Sequence, residues 1–169
     1  LLQSITARER NLAAERGAHP TPVFVKIAPD LTEDALEDVL EVAHGSGVSG
    51  LIATNTTLSR DGITGPHAGQ AGGLSGRPLF ARSTRVLALL YCETKGAVPL
   101  VGVGGITSVD DVWEKLRAGA TAVQIYSALI YQGFSLASRI ATDLDNRLDA
   151  ENTTLGQLRG SGAADWAQR

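Results

Sequence analysis

The sequence has no methionine, not even at its first position, and a single cysteine among its 169 residues. One cysteine excludes an internal disulfide, and with it the disulfide-stapled secreted scaffolds, so a cytosolic setting is the expectation. No apolar run approaches the ~20 residues that a membrane-crossing helix needs, and the opening residues show no signal-peptide pattern. Charge of one sign is missing too. The 15 basic and 18 acidic residues are mixed along the chain, net −3, which leaves no electrostatic footprint for nucleic acid or a membrane surface. His19, His44 and His67 lack metal-ligand spacing, and no Ser/His/Asp set can be assembled. The opening stretch, LLQSITARER, reads as a helix already under way. The expectation is a piece of a longer protein, or a processed one.

With 43% apolar and 20% charged residues, the chain has the composition of a globular domain with a sizeable core. One rhythm repeats: a short β-branched run, a polar stretch, then a helix-period segment. Val23 to Ala28 (VFVKIA) reads as a strand. The helix after it is capped by Thr32, carries Glu33 and Asp34 in its first turn, and places Leu36, Val39, Leu40 and Ala43 on one face. Gly45 or Gly47 ends it. Ser49 to Thr54 is a second strand, and a polar, Gly-rich loop runs from Asn55 to about Gly76. A helix is predicted over Pro78 to Lys95, with Cys92 in its apolar pattern as a small buried hydrophobe. Val98 to Gly105 is the third strand. Ser108 and Asp111 form a capping-box-like pair for the helix that Gly119 closes. Thr121 to Ala128 is the fourth strand, and a helix follows over about Ser135 to Leu148. The repetition predicts an α/β fold with a parallel sheet, either doubly wound or a (β/α)₈ barrel of which this would be half. Residues 1–150 would form the half-barrel and 151–169 a tail of short helices packed on it.

In both architectures ligands sit at the C-terminal ends of the strands, and each strand end here is chemically unusual. Lys26 interrupts an apolar strand. Its ammonium either meets an anion or a dipole, or snorkels to water from an edge strand. Thr54-Asn55-Thr56-Thr57 offers hydroxyls and an amide but no charge, which suits a small ring bearing amide and carbonyl groups; capping of the next turn is the bland alternative. GVGGI (Gly102 to Ile106) lets backbone N–H groups approach an anion at the start of a Ser-capped helix. Together with QIYSALIYQG it matches the phosphate site that recurs after strands seven and eight of barrels, which would make these the last four units. In GGLSGRPL, Gly73 and Gly76 permit tight backbone near a cofactor, while Arg77 either contacts a phosphate or pairs with an acidic neighbour.

In order, VKIAPDL, ATNTT, GGLSGRPL, GVGGI and GA-x-x-VQIYSALIYQG resemble the C-terminal half of the dihydroorotate dehydrogenases, over about residues 20 to 150. KIAPD, TNTT and the YS…IYQG stretch are most similar to the quinone-dependent class 2 enzymes, which are FMN-containing (β/α)₈ barrels of pyrimidine synthesis. The resemblance implies roles. Lys26 would contact the FMN ring where reduction builds negative charge. Thr54 would touch FMN, and Gly76 and Gly105 would bring backbone to the flavin and its phosphate. Tyr126 and Ser127 would donate to that phosphate, chiefly from backbone. Asn55 and Thr56 would hydrogen-bond dihydroorotate or orotate. The reaction it implies removes a proton from C5 and a hydride from C6 of the substrate, the hydride going to flavin N5, with a quinone as final acceptor. The resemblance also implies peripheral attachment to the cytoplasmic side of the cell membrane through N-terminal helices, and a serine base on a loop upstream of Leu1. Ser4 lies in the opening helix pattern and does not match that base motif. By itself such a half would be inactive. Another FMN- or phosphate-binding barrel, or a non-catalytic half-barrel, would share GVGGI without needing Lys26, Asn55 and Thr56.

Overall fold

A computed structural model describes residues 1–66 and 68–169; His67 lies outside the described residues. The opening helix pattern is helix α1 (Leu2–Glu15), followed by strand β1 (Phe24–Ile27), helix α2 (Glu33–Ser46) and strand β2 (Gly50–Ala53). A long loop leads through a 3₁₀ turn (Arg77–Leu79) into helix α3 (Phe80–Glu93), then strand β3 (Leu100–Val103) and helix α4 (Val109–Arg117). Strand β4 (Ala122–Gln124), helix α5 (Ser127–Gln132) and helix α6 (Ser135–Ala150) follow. Two short helices, α7 (Leu155–Leu158) and α8 (Ala163–Ala167), close the chain.

The four strands are all parallel in the order β1-β2-β3-β4. The register places Lys26, Ile52, Val101 and Ala122 in one row across the sheet. Burial then separates the two faces. Ile27, Leu51, Ala53 and Leu100 are buried, and they pack with Leu87, Leu90 and Val112 of α3 and α4 into one core. On the other face Lys26, Ala122 and Gln124 are exposed, Phe24 is 40% exposed, and Ile52 and Val101 are only half buried. A doubly wound sheet carries helices on both faces; this one is covered on one side, with an apolar stripe facing out on the other. That is the layering of a barrel wall, whose open face is the barrel interior. Both β1 and β4 are sheet edges.

Local chemistry explains the helix ends. The Thr32 hydroxyl accepts from Ala35 N at 3.3 Å, and Gly47, not Gly45, terminates α2 in the left-handed conformation (φ +66°). Ser108 accepts from Asp111 N at 3.3 Å. The Asp111 carboxylate does not return to Ser108. It accepts from the backbone N–H and hydroxyl of Thr107 at 2.9 and 2.8 Å and pairs with Arg77, so half of the predicted capping box is redirected toward the loop before β3's partner helix.

Two sequence readings are corrected. Cys92 is exposed rather than buried. The buried stripe of α3 runs through Ser83, Val86, Leu87 and Leu90, and Cys92 lies two residues beyond Leu90, about 200° round the helix. Partial burial and the neighbouring Glu93 push its thiol up, away from a reactive thiolate. The fourth strand stops at Gln124 instead of reaching Ala128, because Tyr126 turns the chain (φ −131°, ψ −79°) and Ser127 begins α5.

The tail is tied down by specific bonds. Trp166 packs edge-on against Phe80 at 6.0 Å between centroids, and its indole N–H donates to Glu114 at 2.8 Å. The Arg159 guanidinium donates to the carbonyls of Gly119, Gly96 and Val98. No helix among the described residues is long and apolar enough to cross a membrane.

Candidate active site

The C-terminal ends of all four strands open on one cavity of about 330 Å³. Lys26, Thr54, Asn55, Thr56, Gly76, Gly105, Tyr126 and Ser127, which arise on separate strand ends and loops, all line it. The volume lies at the lower end of what small-ligand sites occupy.

The first wall comes from β1 and β2. Lys26 points to the open face of an edge strand, and its ammonium has neither a hydrogen bond nor an ion pair among the described residues. The structure shows the edge-strand reading, with the ammonium reaching solvent at the wall of the cavity. After β2 the four polar residues alternate in role. Thr54 is 1% exposed and its hydroxyl donates to the carbonyl of Asn55 at 2.9 Å. Thr57 is also buried. Its backbone bridges Leu74 in both directions, at 3.1 and 2.8 Å, and its hydroxyl donates to Asp30. Asn55 and Thr56, between them, are exposed toward the cavity. The Asn55 side-chain oxygen accepts from Thr56 N at 2.9 Å, which fixes the amide and leaves its NH₂ group without a hydrogen-bond partner among the described residues. Thus the outer two residues of TNTT hold the loop and the inner two present hydrogen-bonding groups.

Asp30 was not singled out by sequence, although it lies within the VKIAPDL motif. Its carboxylate accepts from the Thr57 hydroxyl, from Leu58 N at 2.9 Å and from Arg82 at 3.2 Å. Partial burial pulls this carboxyl upward, but the Thr57 and Leu58 bonds and the Arg82 charge outweigh it and hold it below the usual carboxylate range. Arg82 also reaches Asp61 at 3.1 Å, and Arg60 donates to the carbonyls of Gln70 and Gly72 at 2.9 and 2.6 Å. The long loop is therefore clamped at its base. Asp30→Ala is expected to lower thermal stability by about 1.5–3 kcal/mol, the range for a hydrogen bond to a charged group, and to speed amide exchange at Leu58 and Leu74. Unaltered protection at those two amides would remove Asp30 from this role.

The second wall is a pair of turns. Gly73 does not line the cavity; a Cβ there would stand 1.9 Å from the Thr56 hydroxyl, so this glycine makes room for Thr56 rather than for a ligand. Gly105 (φ +71°) follows β3, and a Cβ on it would lie 2.5 Å from Cβ of Phe80. Its bare backbone lets the turn seat on the start of α3 while its other side faces the cavity. Arg77 completes the wall. It pairs with buried Asp111, stacks over the Phe80 ring at 4.6 Å, and keeps its side chain 62% exposed. Of the two alternatives for Arg77, the structure shows the acidic partner, and the residue also lines the cavity. Burial raises the Asp111 carboxyl, yet Arg77 and Thr107 outweigh this and hold it below its ordinary value. Opposite lies the start of α5, where the Ser127 hydroxyl donates to that of Ser75 at 3.0 Å and joins the glycine-rich loop to Tyr126. Leu79, Val103, Ile106 and Ala128 make the lining between the two walls apolar.

The cavity thus has an unpaired ammonium and amide donors at one end. At the other it has a guanidinium and glycine turns, and the space between is apolar. No Asp, Glu, His or Cys is among its described lining residues, and no group of three such side chains with metal-binding potential occurs among the described residues. Residues 2–148 match the family model for dihydroorotate dehydrogenase. The chain belongs to the dihydroorotate dehydrogenase family. Relatives named dihydroorotate dehydrogenase (quinone) include that of Cereibacter sphaeroides, 53% identical over 150 residues, covering 88% of this chain and 42% of the relative. That of Parvibaculum lavamentivorans is 52% identical over 165 residues (97% and 46%) and that of Agrobacterium fabrum 46% identical over 171 (100% and 47%). Two crystal structures of the Eimeria tenella dihydroorotate dehydrogenase superpose on the chain. The ligand-free one has a TM-score of 0.77 at 40% identity, over 82% of this chain and 39% of that one. The ferulenol complex has a TM-score of 0.79 at 39% identity, over 85% and 39%. The fold of this family is the (β/α)₈ barrel, so the four units seen here are half of a barrel wall. The chain spans less than half the length of the curated relatives it matches.

Proposed function

We propose that this chain forms the flavin- and substrate-gripping half of a quinone-dependent dihydroorotate dehydrogenase, which oxidises dihydroorotate to orotate in the synthesis of pyrimidines. The observation that carries the reading is the convergence of Lys26, Asn55 and Thr56 with the Gly76, Gly105 and Tyr126–Ser127 turns on one cavity. The donor set fits FMN, whose flat apolar ring and anionic phosphate match the apolar lining and the Arg77 end. When bound, FMN supplies a hydride acceptor that no side chain can provide.

This chain's own residues do the rest. Gly105 and the Tyr126–Ser127 turn would offer backbone N–H groups to the FMN phosphate, and the guanidinium of Arg77, held on one side by Asp111, would add positive charge alongside. Thr54 closes the wall beside the ring. Lys26 would place a positive charge where reduction builds negative charge, as a preorganised group lining the cavity. The Asn55 amide and the Thr56 hydroxyl orient the carbonyl and N–H edges of the substrate ring. The base that takes the C5 proton, the site of quinone entry and attachment at the cytoplasmic face of the membrane belong to the complementary half-barrel, which would pair with the open edges of β1 and β4 and cover Phe24, Ile52 and Val101. Association through two strand edges and an apolar face has a strong driving force.

Co-expression of this chain with the part of the Cereibacter sphaeroides relative outside the match tests the reading. A yellow complex that reduces a quinone analogue with dihydroorotate is the expected result. A complex without bound flavin, or a flavin complex whose spectrum orotate does not perturb, would overturn it. In that complex Asn55→Ala is expected to raise the orotate dissociation constant by about ten- to a hundredfold, since each lost hydrogen bond strands a polar ligand group. FMN content should stay unchanged, and equal orotate affinity would refute the Asn55 role.

A further inference from the structure

Lys115 is the most deeply buried charged residue of the described chain, at 0% exposure, and nothing in the proposed reaction uses it. Its Nζ donates to the Ser83 hydroxyl at 2.6 Å and lies 5.1 Å from the centroid of the Phe80 ring. Ser83 in turn donates to the carbonyls of Phe80 and Gly104 at 3.2 and 3.4 Å. Phe80 is the residue on which Gly105 seats, and Gly104 and Gly105 both line the cavity. The ammonium therefore stands directly behind the glycine turn, one side chain removed from the cavity wall, and Gly102 of β3 packs against its stem.

We propose that Lys115 is a positioning residue for the anionic end of the cavity: a buried positive charge that fixes the Gly104–Gly105 turn through Ser83 and Phe80 and favours a phosphate in front of it. The assignment rests on the reading of the cavity as an FMN site. A buried ammonium with one hydroxyl acceptor and a ring face is poorly compensated in the absence of an anion. Burial drives its pKa down to about 7, against a smaller upward pull from Asp111. Asp111 is already engaged by Arg77 and Thr107. Glu114, the other acidic group on this stretch of α4, is engaged by Arg117 and Trp166. From α3 the side chains in contact are Ser83 and Phe80, both uncharged. A phosphate dianion in the cavity supplies the missing countercharge, so each favours the other: the anion holds the proton on Lys115, and the protonated lysine tightens the anion.

The test compares FMN with riboflavin, which lacks the phosphate, by flavin fluorescence on the complex reconstituted with the complementary half between pH 7 and 9, where a phosphate monoester stays mostly dianionic. In the wild type the preference for FMN over riboflavin is expected to shrink as pH rises. Lys115→Met is expected to cut that preference about tenfold at pH 7, flatten its pH profile and leave riboflavin affinity unchanged. A preference that is pH-independent in the wild type, or equally large in Lys115→Met, would overturn the assignment while leaving the flavin reading intact. Equal parallel losses of FMN and riboflavin affinity in the variant would assign Lys115 to packing alone and would also overturn it. A wild type that does not distinguish the two flavins would overturn the phosphate site and this inference together. The wild-type pH profile needs no variant and so stands even if a substitution unfolds the protein.

Discussion

Lys26→Met in the reconstituted barrel is expected to slow reduction of bound FMN by dihydroorotate by roughly 10²–10³-fold, the range found when one preorganised electrostatic donor is removed from a reaction centre. The size follows from the site's composition. Lys26 is unpaired among the described residues and faces the cavity, so no second cation stands ready to replace it at that end; Arg77 lies at the other and is committed to Asp111. Methionine preserves most of the stem of an exposed side chain, so stability should move by less than about 1 kcal/mol. The decisive measurement is the rate of flavin bleaching in anaerobic stopped flow, with FMN content measured alongside. A rate within a factor of three of wild type, at full FMN occupancy, would remove Lys26 from the chemistry.

The second large effect concerns stability. Lys115 has its folded pKa depressed to about 7 from 10.5, so the unfolded chain binds more protons across that interval. Stability contributed by this group is therefore fully present above pH 10.5, declines as pH falls, and is lost once pH passes below about 7. The cost of the buried charge at neutral and lower pH is of the order of 5 kcal/mol before the loss of the Ser83 contact is subtracted. Lys115→Met should consequently melt higher than wild type at pH 6.5, by roughly 5–10 °C. The gap should close or reverse by pH 9.5. Parallel melting curves for the two proteins over that range would show that the lysine is neither desolvated nor titrating. A group that destabilises the free protein yet favours a bound anion is a familiar compromise of binding sites, which are seldom at their stability optimum.

Asp30 and Asp111 tilt stability in the same direction, at lower pH. Their folded pKa values are lowered, so the stability they add is present above the ordinary carboxylate range and disappears as pH falls through their depressed values. Together with Lys115 they make the stability of the free protein rise from acid toward alkaline pH.

The alternation of β-branched runs and 3.6-period segments was enough to determine a parallel α/β chain, because each strand announces its own burial and each helix its own face. The caps at Thr32 and Ser108, the polar cluster after β2 and the lysine in β1 were legible for the same reason: each is a local departure from a local pattern. The choice between a doubly wound sheet and a barrel was not local. Periodicity left it open; the GVGGI and QIYSALIYQG turns and the family resemblance pointed to the barrel, and the uncovered face of Phe24, Ile52 and Val101, which depends on register between strands far apart in sequence, agrees with it. Nor could spacing reveal that Asp30, Thr57 and Arg82 meet, that Cys92 falls off the buried stripe, or that Lys115, an ordinary residue in a polar helix pattern, sits fully buried behind a glycine turn. A sequence records the chemistry of each side chain and its periodic neighbours; partners brought together by packing across loops and layers exist only in the folded chain.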